Sequence, residues 1–434
     1  MNILFEQLIA DFHERPLPIL TLRETRLPAL PGKIDAVLGM RRSGKTSFLF
    51  QAMQGLLDQG IAKERMLYIN FDDDRLLPMT TEDLGSIGDA YFRMFPDHKS
   101  QICYFFFDEI QNVAGWEAYL RRLLDTEQVQ LAVTGSSAKL LSREIATSLR
   151  GRAISTEIFP FSFRESLMHE GIVPGKQRPG SSKRAVLENR LRRYLVVGGF
   201  PEVQCITDEY RIRMLQEYVD AVVLRDIVER HRVGNILPLR YLIRHLLATP
   251  ATLFSINKFY NDLKSQGIAC SKDTLRNYFV WLEDAYLVCS VPIETRSERV
   301  RQTNPRKVYA IDTGLLQAFS HSPRSDQGHL LECFVFMALR RKGVNIAYYR
   351  TKQGYEVDFI TTSLSGDVAL YQVALHLHDE STRKREVRAL TDAMEETGLK
   401  HGVIITLEQE EELPTPFGRI DIHPAWQFAM NAMA

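Results

Sequence analysis

The stretch VLGMRRSGKTSFLFQ, Val37 to Gln51, decides how the rest of the chain is read. Gly39, four intervening residues and Gly44-Lys45-Thr46 fit G-x-x-x-x-G-K-[ST]. In that pattern successive backbone N–H groups wrap phosphate oxygens, and the lysine ammonium reaches the β and γ phosphates. ATP with Mg²⁺ is therefore the expected ligand. Thr46 is the candidate Mg²⁺ ligand, and Gly39, Arg41, Arg42, Ser43, Gly44, Lys45, Thr46 and Ser47 are the candidate cradle. The context agrees: KIDAVL before the motif is an apolar, β-rich run, and TSFLFQAMQGLLDQG after it has apolar residues at helical spacing ending at Gly60. A helix N-terminus would then face the anion.

A chain of 434 residues exceeds one typical core and predicts two or three domains. Lys plus Arg (54) equals Asp plus Glu (54), so no global charge pushes the protein toward nucleic acid or a membrane. Any basic surface must be local. No apolar run approaches the roughly 20 residues that span a bilayer, and MNILFEQLIADFHERP lacks a signal-peptide layout, so a cytoplasmic location is expected. Cys103, Cys205, Cys270, Cys289 and Cys333 lack C-x-x-C or His-paired spacing and read as buried, reduced thiols.

From Ile34 to about Phe159 the runs IDAVL, MLYINF, ICYFFF, VQLAVT and AISTEI alternate with amphipathic stretches, which predicts a parallel sheet with helices on both faces. HEGIVPGKQRPGSSKR then reads as a linker. From Ala185 to about Asp284 the pattern is nearly all helical. YLVCSVPIE and RKVYAID follow as strands, the order of a winged helix. From Gly328 the pattern returns to mixed α/β, with helix HLLECFVFMALRRKG, strands IAYYR, YEVDFITT and VALYQVAL, helix TRKREVRALTDAMEETG and strand HGVIITL.

About sixty residues beyond the phosphate loop stands CYFFFDEIQNVAGW, an apolar run closed by Asp108-Glu109. A strand apolar on both faces is central in its sheet, so its C-terminal end emerges beside the phosphate loop. Asp108 is placed to hold Mg²⁺ and Glu109 to orient and deprotonate the attacking water. LAVTGSSAKLL is a second buried strand, ending in Thr134-Gly135-Ser136-Ser137. Ser136 is the candidate polar residue between the γ phosphate and the acids, a role compatible with capping the next helix. Arg150 and Arg152, in SLRGRAISTEI, are candidates for a finger that reaches a neighbouring subunit's nucleotide, or for solvated charges.

The order of GMRRSGKTSFL, YFFFDEIQNVAGWEAYLRRLLD, LAVTGSSAKLLSREIATSLRGR and FPFSFRE resembles the archaeal-type AAA+ ATPases that carry a carboxy-terminal domain of unknown function. YLVVGGFPEV, VVLRDIVERH, NPRKVYAIDTGLL and YEVDF extend the resemblance over nearly the whole chain. It implies an α/β fold class: a P-loop AAA+ parallel-sheet core (1–165), a helical lid (185–235), a winged helix (236–320) and a smaller α/β domain similar to restriction-endonuclease-like nucleases (328–434). It also implies a homo-oligomer, with a ring of six as the family-level expectation.

Such nucleases use a helix Glu, an Asp at a strand end and Glu/Asp-x-Lys on the next strand, two acids holding a metal while Lys stabilises charge. Glu332 and Asp358 stand at the first two places, with Glu356 near, but the third reads Gln372-Val373-Ala374. Lys352, in a neighbouring loop, is the candidate substitute. The expectation is a degenerate site without cleavage.

In the winged helix SKDTLRNYFVWLEDAY would be the recognition helix, with Ser271 as N-cap, Lys272, Arg276 and Asn277 exposed, and Leu275, Tyr278, Phe279 and Leu282 facing the core. ETRSERVRQTNPRK, with Arg296, Arg299, Arg301, Arg306 and Lys307, would be a wing against phosphates. The leading expectation is an ATPase that couples hydrolysis to work on, or sensing of, DNA. The alternative is an ATP-dependent conformational switch that holds a protein partner in a defence, toxin–antitoxin or signalling system.

Overall fold

The computed structural model describes residues 2–135, 149, 151–173, 175, 179–320 and 327–431. The chain forms two compact units, Met1–Phe159 with Asp284–Tyr286, and Pro160–Glu283 with Leu287–Ala434.

The first unit is built on five parallel strands, β1 (Ile34–Leu38), β2 (Met66–Asn70), β3 (Cys103–Asp108), β4 (Val129–Gly135) and β5 (Ala153–Glu157), in the order β2-β3-β4-β1-β5. All five coincide with the apolar runs read from the sequence. Buried parallel strands are apolar on both faces, which makes them stand out from amphipathic helices. The register aligns their C-terminal ends: Asn70 lies beside Asp108, and Leu38 beside both Gly135 and Glu157. One edge of the sheet therefore carries everything that follows these strands. Helix α1 (Asn2–Glu14) packs on α3 (Thr81–Met94) and β2; α2 (Lys45–Asp58) leaves the phosphate loop, and α4 (Trp116–Thr126) precedes β4. Thr80 and Asp83 form a reciprocal cap that starts α3.

The second unit begins with α5 (Phe163–His169), α6 (Ser181–Val197) and α7 (Asp208–Ala221), the last running on as a π-helical segment, Val222–Glu229. There follow α8 (Leu237–Ala248), β6 (Thr252–Phe254), α9 (Ile256–Ser265), α10 (Lys272–Asp284), β7 (Val288–Val291), α11 (Glu298–Thr303), β8 (Arg306–Ala310) and α12 (Thr313–Phe319). The three short strands form an antiparallel sheet, β6-β8-β7. The remainder is α13 (Gln327–Arg341), β9 (Asn345–Arg350), β10 (Glu356–Thr362), β11 (Val368–Val373), α14 (Glu380–Thr397), β12 (His401–Thr406), β13 (Glu411–Thr415), β14 (Gly418–Pro424) and α15 (Ala425–Asn431). Its mixed sheet runs β13-β14-β12-β11-β10-β9. Leu390, Ala393 and Met394 of α14 pack on Val357, Leu370, Ile404 and Ile420 of that sheet.

The structure corrects four expectations. The helical stretch after Ala185 is interrupted by β6, too short to show alternation and fixed by pairing with β8. The expected wing holds a short helix, α11, started by the Ser297 side chain accepting from Val300 N–H. Strands β13 and β14 go beyond the sequence reading: EELPT is polar and lies at the sheet edge, and β14, though it buries Ile420 and Ile422, interrupts them with Asp421. The five cysteines form no disulfide, but only Cys103 and Cys333 are buried; Cys205 is exposed, in the turn between Pro201–Val203 and α7. Among the described residues no helix is long and apolar enough to cross a membrane.

One buried acid ties three distant segments of the second unit together. Asp312 accepts from Gly314 N–H at 2.9 Å, capping α12, and from Gly199 N–H at 2.6 Å. Phe161 N–H in turn donates to Gly199 O at 2.6 Å. Burial pushes the Asp312 carboxyl up to about 6 against the opposing pull of those amides. Gly198 sits at φ +77°, and a Cβ there would lie 2.0 Å from Asp312 Oδ1. Gly198→Ala should therefore lower stability by at least about 1–3 kcal/mol through backbone strain alone. Urea unfolding checks this, and an unchanged midpoint would contradict it.

Candidate nucleotide site

The loop between β1 and α2 is shaped by its glycines. Gly39 has φ +153° and a Cβ there would lie 2.1 Å from Ile158 O, so no other residue lets the loop close on the end of β5. Gly44, at φ +99°, precedes the first turn of α2, whose unpaired N–H groups and dipole favour an anion. Lys45 is 5% exposed. Its ammonium donates to Gly39 O at 3.1 Å and Met40 O at 3.3 Å, and lies 3.8 Å from Glu109 Oε1.

Asp108 ends β3 and is almost wholly buried. Thr46 Oγ1 donates to its Oδ2 at 2.7 Å, and the Tyr68 hydroxyl donates to the same oxygen at 3.1 Å. The Thr134 hydroxyl donates to Asp108 Oδ1, while Thr134 Oγ1 accepts from Glu109 N–H at 2.9 Å. Burial raises the Asp108 carboxyl above its usual range, and the hydrogen bonds from Thr134 and Thr46 oppose that rise. Glu109 turns out of the strand at φ 52°, a left-handed conformation uncommon for a non-glycine residue, and Gln111 donates to its Oε2.

These residues fit Mg-nucleotide. A Cβ on Gly39 or Gly44 would strike Ile158 O or Arg23 Nη2 behind the loop, so only glycines let it curl, and the Ser43 hydroxyl within it is fully buried with no hydrogen-bond partner among the described residues. Thr46 and Asp108 offer adjacent hard oxygens of the kind Mg²⁺ accepts. Lys45 supplies the buried positive charge.

Thr134 and Tyr68 were not singled out from sequence. Thr134 stands level with Asp108 because the preceding Val133 pairs with Phe107, a register that no local pattern announces. Ser136, expected between the γ phosphate and the acids, lies outside the described residues, as does Arg150. Arg152 precedes β5 and its carbonyl accepts from Ile34 N–H, at the opposite end of the sheet from the phosphate loop. Five residues of strand place it about 17 Å from its own site, where it pairs with Asp125.

In the second unit Ser271 Oγ accepts from Thr274 N–H at the start of α10, and Leu275, Tyr278, Phe279 and Leu282 are buried. Lys272, Arg276 and Asn277 are exposed, Arg276 pairing with Asp273 at 2.8 Å and Lys272 lying over the Tyr260 ring. Arg299 is exposed, whereas Arg301 is half-buried and donates to Thr295 O at 3.0 Å.

Residues 31–167 match the family model of an AAA domain. Residues 188–326 and 327–427 match two domains of unknown function, DUF8612 and DUF4143. The uncharacterized protein MJ1544 of Methanocaldococcus jannaschii is 34% identical over 99% of this chain and 96% of its own. The chain belongs to that protein's family. An uncharacterized protein of Haemophilus influenzae is 29% identical, covering 80% of this chain and 84% of its own. Among solved structures, the Walker-type ATPase PABY2304 of Pyrococcus abyssi aligns over 74% of this chain and 95% of its own at 12% identity and a TM-score of 0.41. Cdc6p of Pyrobaculum aerophilum aligns over 71% and 96%, at 13% identity and a TM-score of 0.26.

The segment that matches DUF4143 holds a second cluster of acids, and an ammonium lies at its centre. Lys307 of β8, 3% exposed, donates to Glu332 Oε1 at 3.0 Å, Glu356 Oε1 at 2.9 Å and Asp358 Oδ1 at 2.8 Å. Tyr309 donates to Glu332 Oε1 at 2.8 Å, and Val373 N–H to Asp358 Oδ2 at 2.9 Å. Gln372 accepts from Asp358 N–H at 3.2 Å and donates to Glu386 Oε2 at 2.7 Å. Lys352, the expected substitute, is exposed in a turn, so the lysine comes from β8 instead. Among the described residues no group of three or more His, Cys, Asp or Glu is arranged to hold a metal.

Breaking a buried charge cluster by deleting its counter-charge costs about 3–5 kcal/mol, and Lys307→Met should lose stability on that scale in urea unfolding. Burial and the Asp358 charge push Glu332 up to about 8, although Lys307 pulls it down. The folded state therefore binds more protons than the unfolded chain between the ordinary value of 4.5 and about 8, so stability falls as pH rises through that window. Lys307 is itself raised above its usual value and keeps its contribution throughout that window. Glu332→Gln should flatten the fall between pH 5 and pH 8, and equal slopes in both proteins would remove Glu332 as its source.

Proposed function

We propose that the first unit hydrolyses Mg-ATP and that the second unit couples the cycle to DNA. The observation that carries the first part is the chain of hydrogen bonds from Thr46 through Asp108 to Thr134 and on to Glu109 N–H, beside the buried Lys45 ammonium. It joins the residues expected to bind phosphate, metal and water at one edge of the sheet. In this reading Lys45 and the loop amides bind the β and γ phosphates, and Thr46 and Asp108 hold the metal. Bound Mg²⁺ would neutralise charge that develops on the phosphate oxygens. Glu109 orients the attacking water and takes its proton. Its ion-pair distance from Lys45 keeps the carboxylate side chain near the phosphate end of the loop. Thr134 fixes both acids at once; Ser136 stays the candidate for the polar residue between them and the γ phosphate. Arg152 lies far from its own site, so a part for it in hydrolysis would be at a neighbouring subunit's nucleotide, with Arg150 as the alternative; either role would make the active ATPase an oligomer.

For the second unit, the order α8-β6-α9-α10-β7-β8 and the sheet order β6-β8-β7 support reading residues 236–320 as a winged helix. The exposed Lys272, Arg276, Asn277 and Arg299 are then its candidates for DNA contact, with Arg301 behind them. Residues 185–235 read as the helical lid and 328–434 as an endonuclease-like domain whose acids are occupied by Lys307, so no phosphodiester cleavage is assigned. The alternative, a switch that holds a protein partner, is favoured by the commitments of Arg276 to Asp273 and of Arg301 to Thr295 O, which leave fewer charges for phosphates.

Lys45→Ala should abolish nucleotide binding, while Glu109→Gln should retain ATP and lose about 10²-fold or more in turnover. Steady-state hydrolysis with single-stranded, duplex and branched DNA, using Glu109→Gln as the blank, tests the coupling. A salt-sensitive rise with one DNA form supports it; equal rates with all of them would move the assignment to the protein-partnered switch. Full turnover in Glu109→Gln would remove the water-activating role.

A further inference from the structure

Arg23 lies outside the phosphate-loop motif, in the segment between α1 and β1, yet it is only 7% exposed and its guanidinium meets the loop from behind. Nη2 donates to Ser43 O, and Nη1 donates to Phe159 O at 2.9 Å, just beyond β5. Its backbone is fixed as firmly. Gln51 of α2 accepts from Arg23 N–H at 2.6 Å and donates to Arg23 O at 3.1 Å and Thr25 O at 3.4 Å. The helix that begins at the phosphate loop thus also holds the segment that supports the loop.

The consequence follows from the geometry of one peptide. A trans peptide is planar, so the carbonyl of Ser43 and the N–H of Gly44 point to opposite sides. A donor that fixes Ser43 O on one side aims Gly44 N–H to the other, where the loop wraps its ligand. This peptide needs such a constraint, because glycine at φ +99° has few steric barriers to rotation. A Cβ on Gly44 would lie 2.6 Å from Arg23 Nη2, so the glycine both permits the turn and makes room for the guanidinium. Arginine suits the position: its fork spans two carbonyls and keeps its charge when buried.

We infer that Arg23 is a positioning residue of the nucleotide site, holding the Ser43–Gly44 peptide so that Gly44 N–H addresses the β phosphate of a nucleoside diphosphate or triphosphate. This rests on the Mg-ATP reading above and adds to it a residue that the motif does not contain. Its signature is selectivity by phosphate number. A ligand with a β phosphate loses an oriented donor when Arg23 is removed, and a monophosphate does not.

The experiment is calorimetric titration of ADP and AMP into wild type, Arg23→Ala, Arg23→Lys and Lys45→Ala, each first checked for cooperative thermal unfolding. Arg23→Ala should weaken ADP about tenfold, as expected for one lost hydrogen bond to a charged ligand, with AMP affinity unchanged. Arg23→Lys, which can serve one carbonyl, should recover part of the loss, and millimolar guanidinium should restore ADP affinity to Arg23→Ala. Wild-type ADP affinity in Arg23→Ala, alongside its loss in Lys45→Ala, would overturn the inference while leaving the nucleotide site standing. Equal weakening of ADP and AMP would overturn it in favour of general loosening of the loop. Identical ADP affinity in wild type and Lys45→Ala would overturn the nucleotide-site reading itself, and this inference with it.

Discussion

The candidate site depends on the confinement of one carboxylate, Asp108. A buried acid at the end of a central strand is costly unless its oxygens are satisfied, and here the donors come from three elements: Thr46 of α2, Tyr68 of β2 and Thr134 of β4. That requirement holds the start of α2 against the sheet edge and so sets where the phosphate loop can lie. The loop is closed from the other side by Ile158 and Arg23. Its conformation is thus built from neighbouring strands and from a segment twenty residues upstream, and the motif occupies a mould it does not make alone.

The second unit uses buried charge differently. Asp312 joins the ends of α6 and α12 through two backbone amides. Lys307 joins β8 to α13 and β10 through three carboxylates. Nearby, Tyr348 of β9 donates its N–H to Pro292 O and accepts Glu294 N–H on its carbonyl, so the segment after β7 continues along the edge of the terminal sheet. The hairpin of β7 and β8 is consequently anchored to the terminal domain at several points. Any motion of that domain would carry the hairpin with it, which gives the two domains of unknown function a physical reason to occur together in this chain.

The central strands β1, β3 and β4 of the first unit were legible because they are buried on both faces, and the edge strands β2 and β5 because helix or turn signals bound them. The buried face of α10 was legible from its period. Other features were fixed by partners distant in sequence. Thr134 serves the acids because the β3-β4 register places it beside them. Strand β6 exists through pairing with β8, and polar β13 through pairing with β14. Lys307 is 25 residues from Glu332 and 51 from Asp358, and no local pattern announces a lysine that arrives from another sheet. Arg23 is hidden for the same reason, since its partners are backbone carbonyls, which leave no mark on residue type.

The central claim is that Thr46 and Asp108 bring a metal to the phosphate held by Lys45 and the loop. The most direct measurement is phosphate release from radiolabelled ATP under single-turnover conditions, in wild type and Thr46→Val, across a Mg²⁺ titration. The account predicts that release requires Mg²⁺ in wild type and falls sharply in Thr46→Val, which should still bind metal-free ADP. Release independent of Mg²⁺, or unchanged in Thr46→Val, would contradict it.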